Sequence, residues 1–269
     1  MEKQGDHPLP RVTTADLVRD LRALGLRAGD VVLVHSAMSR IGYVDGGAPA
    51  VVQAFLDVLG PEGTLVVPTF PFRGSMLDYC RSGPLFDVQA TPSLVGAITE
   101  AARLHPDARR SLEPTHPVAA IGPRAGFLLD DHINAKGSCD EHSPLYRLTQ
   151  CDGYVLLLGV DFRNCTLLHT AEELARVPFI DFETRYRLRG RDRGRDYVME
   201  IYCHSAPIPA RFDAIEPVLR EKGLLTLGRV GAAECRLARA KAILDTALAE
   251  LARDPYFLRA RPAEKSAQR

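Results

Sequence analysis

The sequence predicts an α/β fold: a mixed central sheet flanked by helices, with a β-hairpin-like insertion. Three observations predict it. A strand, a loop, a helix and a second strand follow one another within about forty residues, from Asp30 to Phe70. A second apolar run, YVLLLGV (Tyr154 to Val160), reads as a buried strand and leads into a helix signal. After Glu173, arginines recur on alternate positions and are interrupted by glycines, as in a hairpin.

The elements follow in order. TTADLVRDLRALGL (Thr13 to Leu26) opens with a cap signal and places Leu17, Leu21 and Leu24 at helical spacing. DVVLVHSA is a β-branched strand that delivers His35 and Ser36 to the loop SRIGYVDGG. The helix AVVQAFLDVLG, the turn PEG and the strand TLVVPTF complete a βαβ unit, whose crossover is expected to be right-handed. Pro71 to Thr91 reads as an irregular covering loop, and Pro92 to His105 as a helix with proline at its start. Arg109 to Gly122 is extended and punctuated by proline, and HSPLYRLTQCDG is a short amphipathic piece. RFDAIEPVLREKG reads as a helix, and AAECRLARAKAILDTALAELARD as a long amphipathic one. Residues 1–12 and 262–269 are expected to be flexible ends of a single domain.

Composition narrows the function. Among 269 residues, 34 basic and 34 acidic side chains balance, so bulk charge attracts neither nucleic acid nor a membrane surface. The N-terminus MEKQGDHPLP carries no signal-peptide pattern, and no apolar run reaches membrane-span length. Six cysteines show no CxxC or zinc spacing, which suits a reducing, cytoplasmic setting. No metal is expected.

Ligands of such sheets sit beyond the carboxyl ends of strands. That rule selects the loop after His35, the end of TLVVPTF, and NCTLLHTAEE after Val160. Thr166 is placed to cap a helix beginning near Leu167, on which Glu172 and Glu173 share a face with His169. The residues leave three roles open for His169: a helix-terminus histidine, a general base needing a carboxylate to hold its tautomer, or a weak zinc ligand. HSAMSRIGYVDGG has glycines and a helix start suited to close ligand approach, but matches no nucleotide motif. Thr115 and His116 stand between prolines and would be rigidly presented.

Taken together, these blocks resemble the aminoglycoside 3-N-acetyltransferase family. The similarity runs through HSAMSRIGYVDGG, LGPEGTLVVPTF, RSLEPTHPVAAIGP, SPLYRL, DGYVLLLGV, TLLHTAE and VGAAECRLARAKAILDTAL, in family order over nearly the whole chain. The resemblance implies an acetyl-CoA-dependent acyltransferase acting on a small-molecule amine, with the insertion near the acceptor side and no covalent intermediate. It makes His169 the base, places its carboxylate partner at Asp213 with Glu172 as the alternative, and leaves Thr166 or Ser36 to stabilise the thioester oxygen. It assigns the co-substrate to His35, Ser36, Ala37, Ser39, Arg40, Ile41 and Gly42, with Arg110 and Ser111. His116 and Glu173 are then expected on the acceptor side, and a homodimer is compatible with it.

The chain also departs from the family pattern at Pro71, Glu113, Pro117 and His142. Arg185, Arg187, Arg189, Arg191, Arg193 and Arg195 alternate strictly, unlike an acidic cleft for polycations. They read either as a charged edge strand or as an anion-facing surface. On the second reading Arg187 and Arg189 contact an acceptor that is anionic, carried by a protein, or not an aminoglycoside, and acyl groups other than acetyl come into play. A non-catalytic CoA-binding relative and a zinc hydrolase are the competing classes.

Overall fold

The computed structural model describes residues 11–204 and 208–260. The expected flexible ends therefore fall mostly outside the described residues. Arg11 and Val12 do not fit that expectation: they form β1 (Arg11–Val12), which pairs with a short strand further on. α1 (Thr14–Leu24) begins with a capping box, in which Thr13 and Asp16 satisfy each other's backbone amides. β2 (Val31–Ser36) then runs through the centre.

The loop expected after Ser36 contains one helical turn, α2 (Met38–Ile41), and β3 (Tyr43–Val44), the parallel partner of β1. α3 (Gly47–Leu59) and β4 (Thr64–Pro68) complete the βαβ unit. The covering stretch expected to be irregular instead holds α4 (Met76–Ser82) and β5 (Leu85–Asp87). The helix expected from Pro92 starts later, as α5 (Ala97–Arg103), because Ser93 donates its backbone amide to Glu100 and Gly96 adopts φ 139°.

β6 (Arg109–Arg110) and β7 (Val118–Ile121) are followed by α6 (Ala125–Leu129), α7 (Pro144–Gln150), β8 (Tyr154–Leu158) and α8 (Leu167–Leu174). β9 (Tyr186–Asp192) and β10 (Arg195–Ile201) form the expected hairpin. α9 (Ile215–Glu221), β11 (Thr226–Val230), β12 (Ala233–Arg239) and α10 (Ala240–Arg253) close the chain. The long helix expected from Ala232 is thus half strand. Pairing of Ala233–Arg239 with both β11 and β8 overrides the helix propensity of its alanines and arginines.

The main sheet runs β11-β12-β8-β2-β4-β7-β6. β2 is parallel to β4 and β8, while β12 and β7 run antiparallel to their neighbours, so the sheet is mixed as expected. Alternation along the central strands divides the core. Leu33, Val155 and Leu157 face the helices α6 to α10, whereas Val32, Val34 and Leu156 face α1, α3 and α5. A smaller sheet, β10-β9-β5, covers a third cluster containing Met76, Cys80, Leu188, Met199 and Ile201. Among the described residues no helix is long and apolar enough to cross a membrane.

Candidate active site

β2 and β8 end side by side, with Ser36 opposite Leu158. Gly159 then turns the chain at φ 69°, and a Cβ there would lie 2.6 Å from Arg40 Cβ, so only glycine lets this loop pack against α2. The turn aims the start of α8 at the ends of β2 and β4. A cavity of about 230 Å³ opens there, lined by His35, Ser36, Phe70, Arg163, Thr166 and His169 among others.

His169, on the first turn of α8, is 20% exposed in its side chain. Its Nδ1 lies 2.8 Å from Glu172 Oε2, one helical turn on. Arg259 completes the arrangement as a fork, donating from Nε to Glu172 Oε1 at 2.6 Å and from Nη2 to Oε2 at 2.7 Å. Burial by itself would raise the Glu172 pKa, but the bonds from His169 and Arg259 outweigh it and hold the carboxyl below its ordinary value. An ionised Glu172 requires the proton of a neutral His169 to sit on Nδ1, leaving Nε2 as an acceptor.

Asp213 is not this partner. It is exposed in a 3-10 turn, and it is Phe212 beside it that touches His169, with ring centroids 4.8 Å apart. The alternative, Glu172, takes the place. Thr166 precedes α8 as expected but makes no side-chain cap bond; its residue lines the cavity instead.

The first loop divides. His35 is buried, and burial pulls its pKa down to about 4, so the imidazole is neutral. Among the described residues His35 Nε2 and Ser36 Oγ are buried without a partner, and their residues line the same cavity as His169. Ser39 and Arg40 line a neighbouring cavity of about 590 Å³ together with Arg229 and Arg236. Val160 borders both spaces. Ala37 donates its amide to the Leu158 carbonyl, Ile41 is fully buried in the core, and neither lines either cavity. Gly42 lies outside the lining of both cavities, where it turns the chain at φ 112°.

Arg110 and Ser111 lie elsewhere. Arg110 is tied to Thr69, Val88 and Thr91 and covers the Phe86 ring at 4.7 Å, which makes it a clasp between loops. Ser111 accepts from the Val118 amide at 2.9 Å and pairs with His132 Nδ1 at 2.9 Å. Arg187 and Arg189 point outward from β9, opposite the face that buries Leu188, and neither lines the cavity. β10 places Glu200 beside Arg187 and Asp196 beside Arg191, and the turn at Arg193 and Gly194 breaks the arginine ladder.

His116 joins the wall behind His169, its ring 4.4 Å from Phe70 and 4.7 Å from His204. Glu173 is buried, and its acceptors are taken by Tyr202, His204 and the Cys139 amide. Cys139, Glu173 and His204 also bring potential metal-ligating atoms within 4.8 Å of one another, but hydrogen bonds already satisfy the carboxylate. The sequence offers no signal for Arg259 and His204: one is an arginine near the tail, the other a lone histidine after a strand, and neither belongs to a motif.

The family model described as aminoglycoside 3-N-acetyltransferase matches residues 33–252. The aminoglycoside N(3)-acetyltransferase VII of Streptomyces paromomycinus is 36% identical over 92% of this chain and 93% of its own. The crystal structure of aminoglycoside acetyltransferase AAC(3)-IVa, an apoenzyme, superposes with a TM-score of 0.78 at 30% identity, covering 93% of this chain and 92% of that one. The AAC-IIIb binary complex with CoASH gives 0.79 at 28% identity, covering 91% and 97%.

Proposed function

The chain belongs to the aminoglycoside 3-N-acetyltransferase family, which makes it an acetyl-CoA-dependent acyltransferase acting on an amine, and we propose that His169 is the general base of that transfer. The observation that carries this reading is convergence. One cavity is lined by His169, whose imidazole is bound to a carboxylate, and by His35 and Ser36, whose buried Nε2 and Oγ have no partner among the described residues.

An ammonium group has no lone pair, so the acceptor attacks the thioester as the free amine. Its nitrogen sheds a proton that ends on the departing thiolate as the bond to carbon forms and the bond to sulfur breaks. His169 Nε2 takes that proton, while Glu172, clamped by Arg259, steadies the imidazolium that forms. Ser36 and Thr166, which both line the cavity, are the hydroxyl residues nearest to hand for the oxygen on which charge develops. The adjoining cavity, with Arg40, Arg229 and Arg236, suits the phosphates of the co-substrate. Free cysteines fit a reducing compartment, in keeping with a cytoplasmic enzyme.

The relatives are named for aminoglycosides, which are polycations. Among the described residues no carboxylate lines the cavity beside His169, and the one guanidinium that does, that of Arg163, is paired with Asp161. We therefore assign a less strongly cationic amine as acceptor. The arginine ladder does not bear on this choice, since it faces away.

The test is free thiol release from acetyl-CoA across a panel of amines that includes gentamicin and sisomicin. His169→Ala should lower kcat by about 10²–10⁴ while CoA binding by calorimetry stays within twofold. Full activity in that variant removes His169 as the base. Gentamicin emerging as the best acceptor removes the less cationic substrate and leaves His169 standing.

A further inference from the structure

A further cavity, of about 350 Å³, shares no lining residue with either cavity described above. Its wall gathers four arginines from three separate elements: Arg103 on α5, Arg109 and Arg110 on β6, and Arg193 in the turn between β9 and β10. Arg103 is held by Glu100 through two bonds of 2.7 Å, and Arg109 pairs with Asp130. Arg110 is largely buried, and its bonds all go to uncharged oxygens, those of Thr69, Val88 and Thr91. Among the described residues neither Arg110 nor Arg193 forms an ion pair, and the one carboxylate on the wall, Asp192, already accepts from Gln89 Nε2 at 2.8 Å. Burial, and then the charge of Arg103, pull the Arg110 pKa down to about 9. A guanidinium still charged at neutral pH thus sits where Glu100 offsets only part of its charge.

Arg193 stands where the backbone does not favour it. Asp192 pairs with Arg195, which leaves a two-residue loop of Arg193 and Gly194 with φ of 47° and 78°. Such loops favour asparagine or glycine at the first position, because a larger side chain is strained at positive φ. Gln89 fastens the loop in place, accepting from the Arg193 amide at 3.0 Å while it donates to Asp192. The strained residue is therefore fixed on the arginine wall, and it adds a guanidinium there.

We propose that this cavity is a binding site for a small oxyanion of the phosphate type, enclosed by Arg193 from the hairpin and by Arg103, Arg109 and Arg110 from the edge of the main sheet. A guanidinium has five N–H groups. Four of those on Arg110 and three on Arg103 meet protein oxygens, so one and two are left without a partner among the described residues. A phosphate presents several acceptor oxygens at once and can take bonds from more than one guanidinium. Its charge offsets the one that the protein leaves open, and bound there it ties the hairpin to α5 and β6. The site stands apart from Arg40, Arg229 and Arg236, the arginines assigned to the co-substrate, and it does not rest on the acyl-transfer reading.

The test is titration of the full-length protein with inorganic phosphate, read by calorimetry and by thermal unfolding, with ionic strength held constant by sodium chloride. Phosphate should bind and raise the melting temperature saturably. Asparagine suits the turn better than arginine, so Arg193→Asn should hold or raise the melting temperature without phosphate. The same variant should weaken the phosphate Kd about tenfold, the weight of one charge-assisted hydrogen bond. Arg229→Ala, in the co-substrate cavity, should leave phosphate binding within twofold. A response to phosphate no larger than that to sodium chloride overturns the proposal. So does an unchanged Kd in Arg193→Asn, or a loss of binding in Arg229→Ala, which places the ion in the co-substrate cavity instead.

Discussion

Two regions of this molecule crowd polar residues into a short span, and they have opposite fates. On α8, HTAEE buries both its glutamates, each held by an imidazole and at least one other donor. In and around the hairpin of β9 and β10 six alternating arginines begin at Arg185, yet Arg187 and Arg189 stand in solvent and Arg191 merely pairs with Asp196 across the hairpin. Charge density along a sequence therefore says little about chemistry. What separates the regions is burial: a carboxylate removed from water must be matched by donors from distant parts of the chain, whereas an exposed guanidinium is satisfied by water.

The largest expected effect comes from breaking that match. Glu172→Leu leaves Arg259 buried without its counter-ion and His169 without a partner, which should cost about 3–5 kcal/mol in urea unfolding together with nearly all turnover. The same bond predicts a pH dependence. Because the folded Glu172 pKa is lowered from 4.5, its contribution is fully present above 4.5 and is lost as pH falls through the lower folded value. Acid titration of stability should therefore show a steeper loss below 4.5 in the wild type than in Glu172→Gln; matching curves would dissolve the coupling.

Two glycines with positive φ sharpen the contrast. Gly159→Ala drives a methyl into Arg40 Cβ, whereas around Gly194 a new Cβ meets nothing within 4 Å. Gly194→Ala should cost only the backbone strain, about 1–2 kcal/mol. Gly159→Ala should cost more by thermal unfolding and weaken CoA binding as well, because its loop borders both cavities.

Smallest of all are the changes on the outer surface. Arg187→Ala, Arg189→Ala and Asp213→Asn should each leave kcat within twofold and the melting temperature nearly unchanged, as exposed positions do. A tenfold loss in Asp213→Asn would return that residue to the site.

Much of the fold was legible in local pattern. The β-branched run VVLVHS, the apolar run YVLLL and the cap before Leu17 report local backbone preferences, so β2, β8 and α1 fall where they were expected. Ala233–Arg239 did not, because alanine and arginine favour a helix until two neighbouring strands claim their amides. Pro92–Gly96 failed for a similar reason, with Glu100 reaching back to Ser93.

The candidate site divides along the same line. By itself the sequence determined that His169 sits at the mouth of a strand-to-helix turn with glutamates three and four residues on, because helix geometry fixes that spacing. Only the tertiary structure decided that Glu172 rather than Asp213 holds the ring, that Arg259 clamps it, and that His204 stacks beside it. Arg259 and His204 lie from about thirty to ninety residues away from the glutamates along the chain, and they meet them because a buried carboxylate recruits whichever donors the packed core brings within reach.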